Sequence, residues 1–277
     1  MGAIIWLASY PKSGNTWLRA FLHNLLRNPE EGYDINKLDD FTLGESAYGW
    51  YRHFDERPLE AYTEAEVAAL RPKVHRHLTT LFPDSIFAKT HCAVMEDHGF
   101  PTVTFDVTAG AIYVVRNPLD VAISYSHHLG ASIDDIIGYM AKARAQVPAS
   151  NNHVHELLGS WSEHVESWTS KPSAALHVIR YEDMLMKPQT AFSGIVRFLG
   201  LKPPRQRLER AIARSSFRVL QVQERRHGFK EKGEFADRFF REGKAGQWRK
   251  LLTPEQIDRV VSAHAEQMKR FGYLPLN

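Results

Sequence analysis

Four short apolar runs stand out along the chain, separated by longer stretches in which apolar residues recur every three or four positions. Each run is too short for a helix of typical length and is rich in isoleucine, valine or aromatic residues, as fully buried strands are. We therefore predict strands at residues 3–8, 86–88, 111–115 and 176–179.

Helical periodicity fills the stretches between the runs. After the first run, TWLRAFLHNLL places four leucines and a phenylalanine on one face, the pattern of an amphipathic helix. After the third run, NPLDVAISYSHH has Asn117 as a candidate N-cap and Pro118 in the first turn. Strands that alternate with helices predict an α/β fold in which helices flank both sides of a central, mainly parallel sheet.

Nothing in the sequence divides the chain, because it has no internal repeat, low-complexity tract or long linker. We predict one domain over residues 1–277, with insertions at about 28–82 and about 129–158 that shape a pocket and, in the second case, act as a lid. The aromatic residues of the first insertion would either form an apolar pocket wall or pack the insertion onto the sheet, and packing is favoured for any single one. They are Phe41, Tyr48, Trp50, Tyr51 and Phe54.

The composition is that of an ordinary globular chain, with 277 residues of which 43% are hydrophobic and 24% charged. No stretch approaches the roughly 18 consecutive apolar residues of a membrane helix, and no positive residue precedes AIIWLA as in a secretory signal. We predict a cytoplasmic protein without a membrane span. The single cysteine, Cys92, excludes an intrachain disulfide and a thiolate zinc site, and is predicted to be a small buried side chain.

The net charge of +3 is unevenly distributed. Residues 202–250 carry 15 Lys+Arg against 6 Asp+Glu, a net of +9, so the rest of the chain sums to −6. This excess indicates either an anionic ligand or a solvated helical face such as RQRLERAIAR. Nucleic acid is not favoured, because the segment has no interleaved aromatic spacing and matches no groove-reading module.

Polar and mostly basic residues follow all four predicted strands. Because the carboxyl ends of parallel strands meet at one edge of a sheet, ligands bind there. We therefore expect one site to contain the residues that follow the four strands, namely Lys12, Ser13, Lys89, Thr90, His91, Arg116, Arg180 and Tyr181.

The turn YPKSGNTW joins the first run to the first helix. Small residues such as Ser13, Gly14 and Asn15 let backbone N–H groups converge on an anion, and the helix N-terminus adds a partial positive charge. The nucleotide-triphosphatase pattern GxxxxGK(S/T) is absent, and no apolar run ends in the Asp that would help to hold magnesium. The turn predicts a metal-free phosphate-ester cradle in a three-layer architecture like that of P-loop nucleotide-binding proteins.

Together these stretches resemble the PAPS-dependent sulfotransferases of the cytosolic type, which transfer a sulfuryl group from 3′-phosphoadenosine 5′-phosphosulfate (PAPS) to a hydroxyl or amine. YPKSGNTW is similar to the family's 5′-phosphosulfate loop, FAKTH to its catalytic strand end and VVRNPLDVAISY to its 3′-phosphate segment. GSWSEHVESW and VIRYEDM are similar to its central helix and strand, and RSSF and FFREGKAGQW to its adenine-side and closing-loop motifs. These motifs follow the family's order across residues 3–248.

The resemblance implies a role for each matching residue. His91 would be the general base, Lys89 would stabilise the transferring group and Lys12 the leaving phosphate, without a covalent enzyme intermediate. The implied catalytic residues are Lys12, Lys89, His91 and Ser124. The residues implied to bind PAPS, or its product PAP, are Lys12, Ser13, Gly14, Asn15, Thr16, Trp17, Arg116, Ser124, Tyr181, Ser216, Phe217, Arg241, Glu242 and Gly243.

Some positions in this set need separate comment. Trp17 would either stack on adenine or pack at the start of its helix. Arg116 and Ser124 would bind the 3′-phosphate, and Arg241 would close over it. Glu242 departs from the Arg-Lys-Gly triplet of many members, which predicts weaker cofactor binding.

The resemblance also implies a small-molecule hydroxyl or amine acceptor, and RKLLTPEQID, loosely similar to the family's dimer motif, leaves a homodimer open. We expect no metal site, because the histidine groups HRH, HVH and HH lack further ligands nearby and are predicted to be surface or acceptor-pocket residues. Two other functions stay open. One is a P-loop kinase, which would need magnesium, and the other is a non-catalytic nucleotide-binding protein, which has no use for His91 and Lys89.

Overall fold

The computed structural model describes residues 2–150 and 152–274, so Asn151 of the second insertion lies outside the described residues. In chain order the strands are β1 (Ile4–Ser9), β2 (Thr42–Gly44), β3 (Ile86–Thr90), β4 (Glu96–Asp97), β5 (Phe100–Pro101), β6 (Thr108–Val115), β7 (Gln146–Val147), β8 (Glu156–Leu157) and β9 (Leu176–Arg180). The α-helices are α1 (Asn15–Arg27), α2 (Tyr48–Arg52), α3 (Glu64–Leu78), α4 (Pro118–Leu129), α5 (Ile133–Ala141), α6 (Trp161–Thr169), α7 (Tyr181–Met186), α8 (Pro188–Phe198), α9 (Arg205–Arg214), α10 (Phe217–His227), α11 (Trp248–Leu251) and α12 (Pro254–Arg270). Short 3-10 helices lie at Ile35–Asp40, Leu59–Ala61 and Phe105–Val107.

Within the described residues, five strands form one parallel sheet in the order β2-β3-β1-β6-β9. The chain runs from β1 to β2 and β3 on one side, and then to β6 and β9 on the other, so the connections reverse direction at β1. Such a reversal opens a crevice at the carboxyl ends of the strands, where α/β proteins bind ligands. The pairs β4–β5 and β7–β8 form separate antiparallel hairpins.

The four strands predicted from apolar runs correspond to β1, β3, β6 and β9. The edge strand β2 was not predicted, because its three residues contain no apolar run and pair only with β3. All pairings in the sheet are parallel, as expected from strands that alternate with helices.

Alternate residues of the central strands point to opposite faces of the sheet and enter two apolar cores. Trp6 and Ala8 lie in one core with residues from α3, α4, α5, α6 and α12. Leu7 lies in the other with residues from α1, α8, α9 and α10. Helices therefore cover both faces, which confirms the predicted three-layer α/β architecture.

Two helices begin at the crevice in different ways. Asn117 caps α4 by accepting from the Leu119 N–H at 3.0 Å, and Pro118 takes the first position, as predicted. Gly14 precedes α1 with a φ of 108°, and no side chain among the described residues caps this helix. The first amides of α1 are therefore available to a ligand.

The basic stretch near the carboxyl end binds the opposite end of α1. From α9, Arg207 donates to the carbonyls of Leu25 and Leu26 at 2.7 and 2.8 Å, and Arg210 donates to the Asn28 side chain at 3.1 Å. These contacts satisfy carbonyls that a helix leaves unpaired at its end. Part of the positive charge in residues 202–250 therefore stabilises the end of α1. The sequence had suggested an anionic ligand or a solvated helical face instead.

The first insertion packs its aromatic residues into the fold. Tyr51 is fully buried, and the Phe41 and Phe87 rings meet edge-on with centroids 5.2 Å apart. Phe54 is partly exposed beside His53. Among the described residues, the five aromatic side chains that might have formed a wall do not line the large cavity at the carboxyl ends of the strands. The structure favours the packing alternative.

The structure bears on the predictions for the single cysteine and for a membrane span. Cys92 is a buried free cysteine, as predicted. No helix in the described part of the chain is long and apolar enough to cross a membrane.

Candidate active site

A cavity of about 580 Å³ opens at the carboxyl ends of β1, β3 and β6. Four of the predicted site residues lie outside its wall. Ser13 is buried beneath the loop, and Ser216 precedes α10, where its carbonyl accepts from the Leu220 N–H at 3.1 Å. Thr90 is buried and donates to Glu45, and the Arg180 guanidinium lies 4.7 Å from the centroid of the Tyr273 ring, so the expectation that these two enter the site is wrong. The predicted residues that line the cavity are Lys12, Gly14, Asn15, Thr16, Trp17, Lys89, His91, Arg116, Ser124, Tyr181, Phe217, Arg241, Glu242 and Gly243.

The loop between β1 and α1 has a tightly constrained backbone. Lys12 has a φ of 64°, and its carbonyl accepts from Arg116 Nη1 at 2.8 Å. A Cβ atom at Gly14 would lie 2.7 Å from Cδ2 of Tyr181, so only glycine suits both this space and the positive φ. Asn15 Nδ2 donates to the Leu7 carbonyl at 2.8 Å and ties the loop to β1.

The side chain of Lys12 sits among aromatic and cationic groups. Its Nζ lies 3.9 Å from the centroid of the Phe239 ring, a cation–π contact. Burial and the nearby charges of Arg116 and Lys89 lower the pKa of Lys12 to about 7. The cavity therefore concentrates positive charge that a phosphate group would stabilise.

Arg116 and Tyr181 form a second cationic corner of the cavity. The guanidinium carbon of Arg116 lies 4.3 Å from the centroid of the Tyr181 ring, and its buried Nε has no hydrogen-bond partner among the described residues. Ser124 lines the same cavity from α4, about two turns after Asn117. Arg116 and Ser124, which were predicted to bind one group, therefore line the same cavity.

Trp17 packs at the start of its helix, which is one of the two alternatives that the sequence left open. It is only 8% exposed, and its ring meets Tyr181 and Phe192 edge-on at centroid distances of 5.8 and 5.9 Å. It also lines the cavity. It therefore packs in the core and also borders the cavity.

An acidic residue that the sequence did not indicate enters the loop region. Glu231 accepts from Arg19 Nη1 at 2.6 Å and from Thr16 Oγ1 at 3.4 Å. Although burial opposes it, the positive charge of Arg19 and Lys89 lowers the pKa of Glu231 to about 2. Arg19 also binds Asp39 at 2.8 Å. The hydroxyl of Thr16, a residue implied to bind PAPS, therefore donates to a carboxylate.

The closing segment before α11 is held by two carboxylates. From α10, Glu224 accepts from the N–H groups of Phe239 and Phe240 at 2.6 and 2.9 Å. From α4, Asp120 accepts from the Gly246 and Trp248 N–H groups at 2.6 and 3.2 Å. These bonds fix the segment over the loop.

Three predicted residues within that segment face the cavity. Gly243 lies against the ring of Phe217, so a Cβ there would overlap the ring. Arg241 Nη2 donates to Gln247 Oε1 at 2.9 Å. Glu242 pairs with Lys244 at 3.2 Å, which compensates part of the charge that distinguishes this position from the family triplet.

His91 has a defined tautomer. Its Nδ1 lies 2.7 Å from the Ser9 carbonyl, which can only accept, so Nδ1 carries the hydrogen and Nε2 the lone pair. Burial, together with the charge of Lys89, holds the pKa of His91 well below its ordinary value. The ring is therefore neutral near pH 7.

Buried polar groups support the strand end that carries His91. Glu45 accepts from Thr90 Oγ1 at 3.1 Å, and its N–H donates to the Lys89 carbonyl at 3.2 Å. Although burial opposes it, hydrogen bonding to His75 and the charge of Arg71 lower the pKa of Glu45 to about 2. The end of β3 therefore contacts an ionised carboxylate.

The histidine groups have separate environments. His128 and His153 line the cavity, but His75 and His155 are buried. His155 Nε2 lies 2.7 Å from Asp97 Oδ2, so the surface-or-pocket expectation is wrong for these two.

The described residues do not show the features that the kinase alternative needs. No group of three or more His, Cys, Asp or Glu residues suited to a metal occurs among the described residues. The described strands of the main sheet end at Ser9, Gly44, Thr90, Val115 and Arg180, and none of these is the Asp that a kinase would use to hold magnesium.

The second insertion forms the far wall of the cavity. The hairpin β7–β8 places Val147 opposite Glu156, and both line the cavity. The first insertion backs this wall, because the Val154 N–H donates to the Ser46 carbonyl at 2.9 Å. The part of the cavity wall opposite the loop between β1 and α1 therefore comes mainly from the two insertions.

Comparison with known proteins agrees with this geometry. The chain matches the family model described as the sulfotransferase domain over residues 4–272. It is similar to Sulfotransferase 1A1 of Canis lupus familiaris, 23% identical across 96% of this chain and 83% of the relative. It is also similar to Cytosolic sulfotransferase 13 of Arabidopsis thaliana, 26% identical across 93% of this chain and 75% of the relative.

The fold is also found in a solved structure. A crystal structure of retinol dehydratase in complex with androsterone and inactive cofactor PAP gives a TM-score of 0.66 at 20% identity, covering 96% of this chain and 80% of that one. The family model spans every predicted site residue. The chain therefore belongs to the PAPS-dependent sulfotransferase family, as its sequence motifs predicted.

Proposed function

We propose that this chain transfers a sulfuryl group from PAPS to a hydroxyl or amine of a small molecule, with His91 as general base. One observation carries the proposal: the Ser9 carbonyl binds Nδ1 of His91 at 2.7 Å, which leaves Nε2 basic in a cavity that Lys12 and Lys89 also line. Catalysis of an in-line displacement at a charged group depends on such positioning and charge stabilisation.

The residues around the loop suit a nucleotide with phosphate at both ends. The first amides of α1 and Lys12 would hold the 5′-phosphosulfate, and Arg116 with Ser124 would hold the 3′-phosphate. Two buried polar atoms of cavity-lining residues have no partner among the described residues and support the fit, namely Trp17 Nε1 and Arg116 Nε. Bound there, PAPS supplies the activated sulfuryl group.

Each catalytic side chain then has a defined task. His91 Nε2 takes the proton of the attacking hydroxyl or amine, and the Ser9 carbonyl stabilises the resulting imidazolium through Nδ1–H. Lys89 stabilises negative charge on the transferring group, and Lys12 does so on the leaving phosphate. No side chain needs to form a covalent intermediate.

The half of the cavity opposite the loop would hold the acceptor. Its wall comes from the two insertions, which supports the role predicted for them. Retinol dehydratase was crystallised with androsterone, and a small molecule is the acceptor that we propose here. The name of the Arabidopsis relative supports a cytoplasmic location, and a homodimer stays a prediction.

Transfer of a radiolabelled sulfuryl group tests the proposal. Phenols, alkyl alcohols, sugars and amines would be incubated with labelled PAPS and a metal chelator. We expect labelled product and an equal amount of PAP with at least one acceptor class. If no class is labelled while calorimetry shows PAP binding, the protein is a non-catalytic binder. Transfer that requires added magnesium would instead contradict the metal-free mechanism.

PAP binding is expected to take up a proton above pH 7. In the free protein the pKa of Lys12 is about 7, so its amine is mostly neutral at pH 8. A phosphate beside Lys12 raises that pKa, so up to one proton binds with PAP, and the affinity falls as the pH rises above 7. Calorimetry at pH 8 in buffers of different ionisation enthalpy measures this uptake.

The matched control is Lys12→Arg, because arginine remains charged throughout this pH range. When this variant binds PAP at pH 8, it should take up fewer protons than the unmodified protein. Equal proton uptake by the two proteins would contradict the assignment to Lys12.

A further inference from the structure

The acceptor half of the cavity has a mixed rather than an apolar wall. Leu129 and Val154 are apolar, but His153, Ser150 and Glu156 lie among them. The aromatic residues that might have formed an apolar wall pack elsewhere. The shape of the cavity therefore admits a small molecule, and its chemistry favours one with polar groups.

Glu156 differs from the other carboxylates that line the cavity. Asp39 pairs with Arg19 at 2.8 Å, Glu231 pairs with Arg19 at 2.6 Å, and Glu242 pairs with Lys244. Within residues 2–150 and 152–274, Glu156 has no basic nitrogen within the 4.0 Å of an ion pair.

Glu156 lies next to His91, the residue that we propose as the base. The Oε1 atom of its carboxyl group accepts from the backbone N–H of His91 over a long 3.4 Å. Burial raises the pKa of Glu156, and the charge of Lys89 offsets part of this rise. A carboxyl group in such surroundings gains when a ligand supplies a further hydrogen-bond donor.

We propose that Glu156 binds a second hydrogen-bond donor of the acceptor, next to the hydroxyl that is sulfated, so that the acceptor class is polyols or amino alcohols rather than simple alcohols. This assignment rests on the proposed sulfuryl transfer. Glu156 is then a residue that determines specificity, and His91 remains the base. A carboxylate that faces a lone apolar acceptor would stay without its extra partner, which disfavours such acceptors.

Three acceptors with one carbon skeleton test the assignment: cyclohexanol, 1,2-cyclohexanediol and 2-aminocyclohexanol. Their binding would be measured by calorimetry in the presence of PAP, and kcat/KM with PAPS. We expect the diol or the amino alcohol to bind at least tenfold more tightly than cyclohexanol, with kcat/KM in the same order. No preference over cyclohexanol, or no measurable binding of either, would overturn the assignment.

Two substitutions separate recognition from a structural role. Glu156→Gln should reduce the preference for the amino alcohol about tenfold and that for the diol less, because the amide oxygen still accepts, and Glu156→Leu should abolish both. Binding of cyclohexanol should not weaken, and with Glu156→Leu it should become tighter, because that variant removes the carboxylate that disfavours an apolar acceptor. An equal loss with all three acceptors would instead assign Glu156 to positioning His91 and overturn recognition.

Asp39→Asn is the matched control, because Asp39 lines the same cavity but already has cationic partners. It should leave the ratio between the three acceptors unchanged. Failure of the proposed transfer has a different signature: no labelled product with any acceptor, although the binding preference and its loss in Glu156→Leu would still be measurable.

Discussion

Replacing His91 by alanine is expected to lower turnover by about 10²- to 10⁴-fold, the usual contribution of a general base. The neutral ring presents Nε2 to the cavity, because the Ser9 carbonyl occupies Nδ1. The substitution removes no residue assigned to the nucleotide, so PAP should still bind. Steady-state turnover and calorimetry with PAP measure the two effects separately.

A second substitution controls for local disorder around Ser9. Asparagine at position 91 can donate its side-chain amide to a nearby carbonyl but cannot act as a base, so His91→Asn should be as inactive as the alanine variant. Loss of PAP binding together with turnover, or turnover within tenfold of the unmodified protein, would count against His91 as the base.

Replacing Arg116 by alanine is expected to weaken the binding of PAPS roughly 10- to 100-fold, as loss of a charged hydrogen bond does. Adenosine 5′-phosphosulfate, which lacks the 3′-phosphate, should lose much less. The reason is that we assign Arg116 to the 3′-phosphate. Its guanidinium lies over the Tyr181 ring, and its buried Nε has no partner among the described residues. Equilibrium binding of the two nucleotides measures the difference.

The Arg116→Lys variant separates charge from geometry. Lysine keeps the charge but cannot form the paired hydrogen bonds of a guanidinium, so it should fall between alanine and the unmodified protein for PAPS. Equal losses for both nucleotides in Arg116→Ala would show instead that the bond to the Lys12 carbonyl supports the loop as a whole.

The strand ends could be predicted from sequence because each is a short continuous stretch. Parallel strands bring their carboxyl ends to one edge whatever their order in the sheet is. Knowing that strands alternate with helices was therefore enough to expect Lys12, Lys89 and Arg116 in one cavity, where the structure has them.

Other parts of the site depend on contacts that the sequence does not encode locally. Thr16 and Glu231 are separated by 215 residues, and the segment between α10 and α11 has no periodicity that predicts its path. The same holds for Glu156, which reaches His91 through a two-residue strand. The short edge strand β2 was missed for lack of an apolar run.

The two ends of α1 are treated oppositely, and this has an electrostatic consequence. A helix of 13 residues is about 20 Å long, and its backbone dipoles add to a partial positive pole at the start and a negative pole at the end. The Arg207 guanidinium of α9 binds carbonyls at the negative pole, whereas the positive pole opens onto the cavity. Because Arg207 neutralises the negative pole, that pole repels a bound anion less. The positive pole at the start of α1 therefore attracts the anion more effectively.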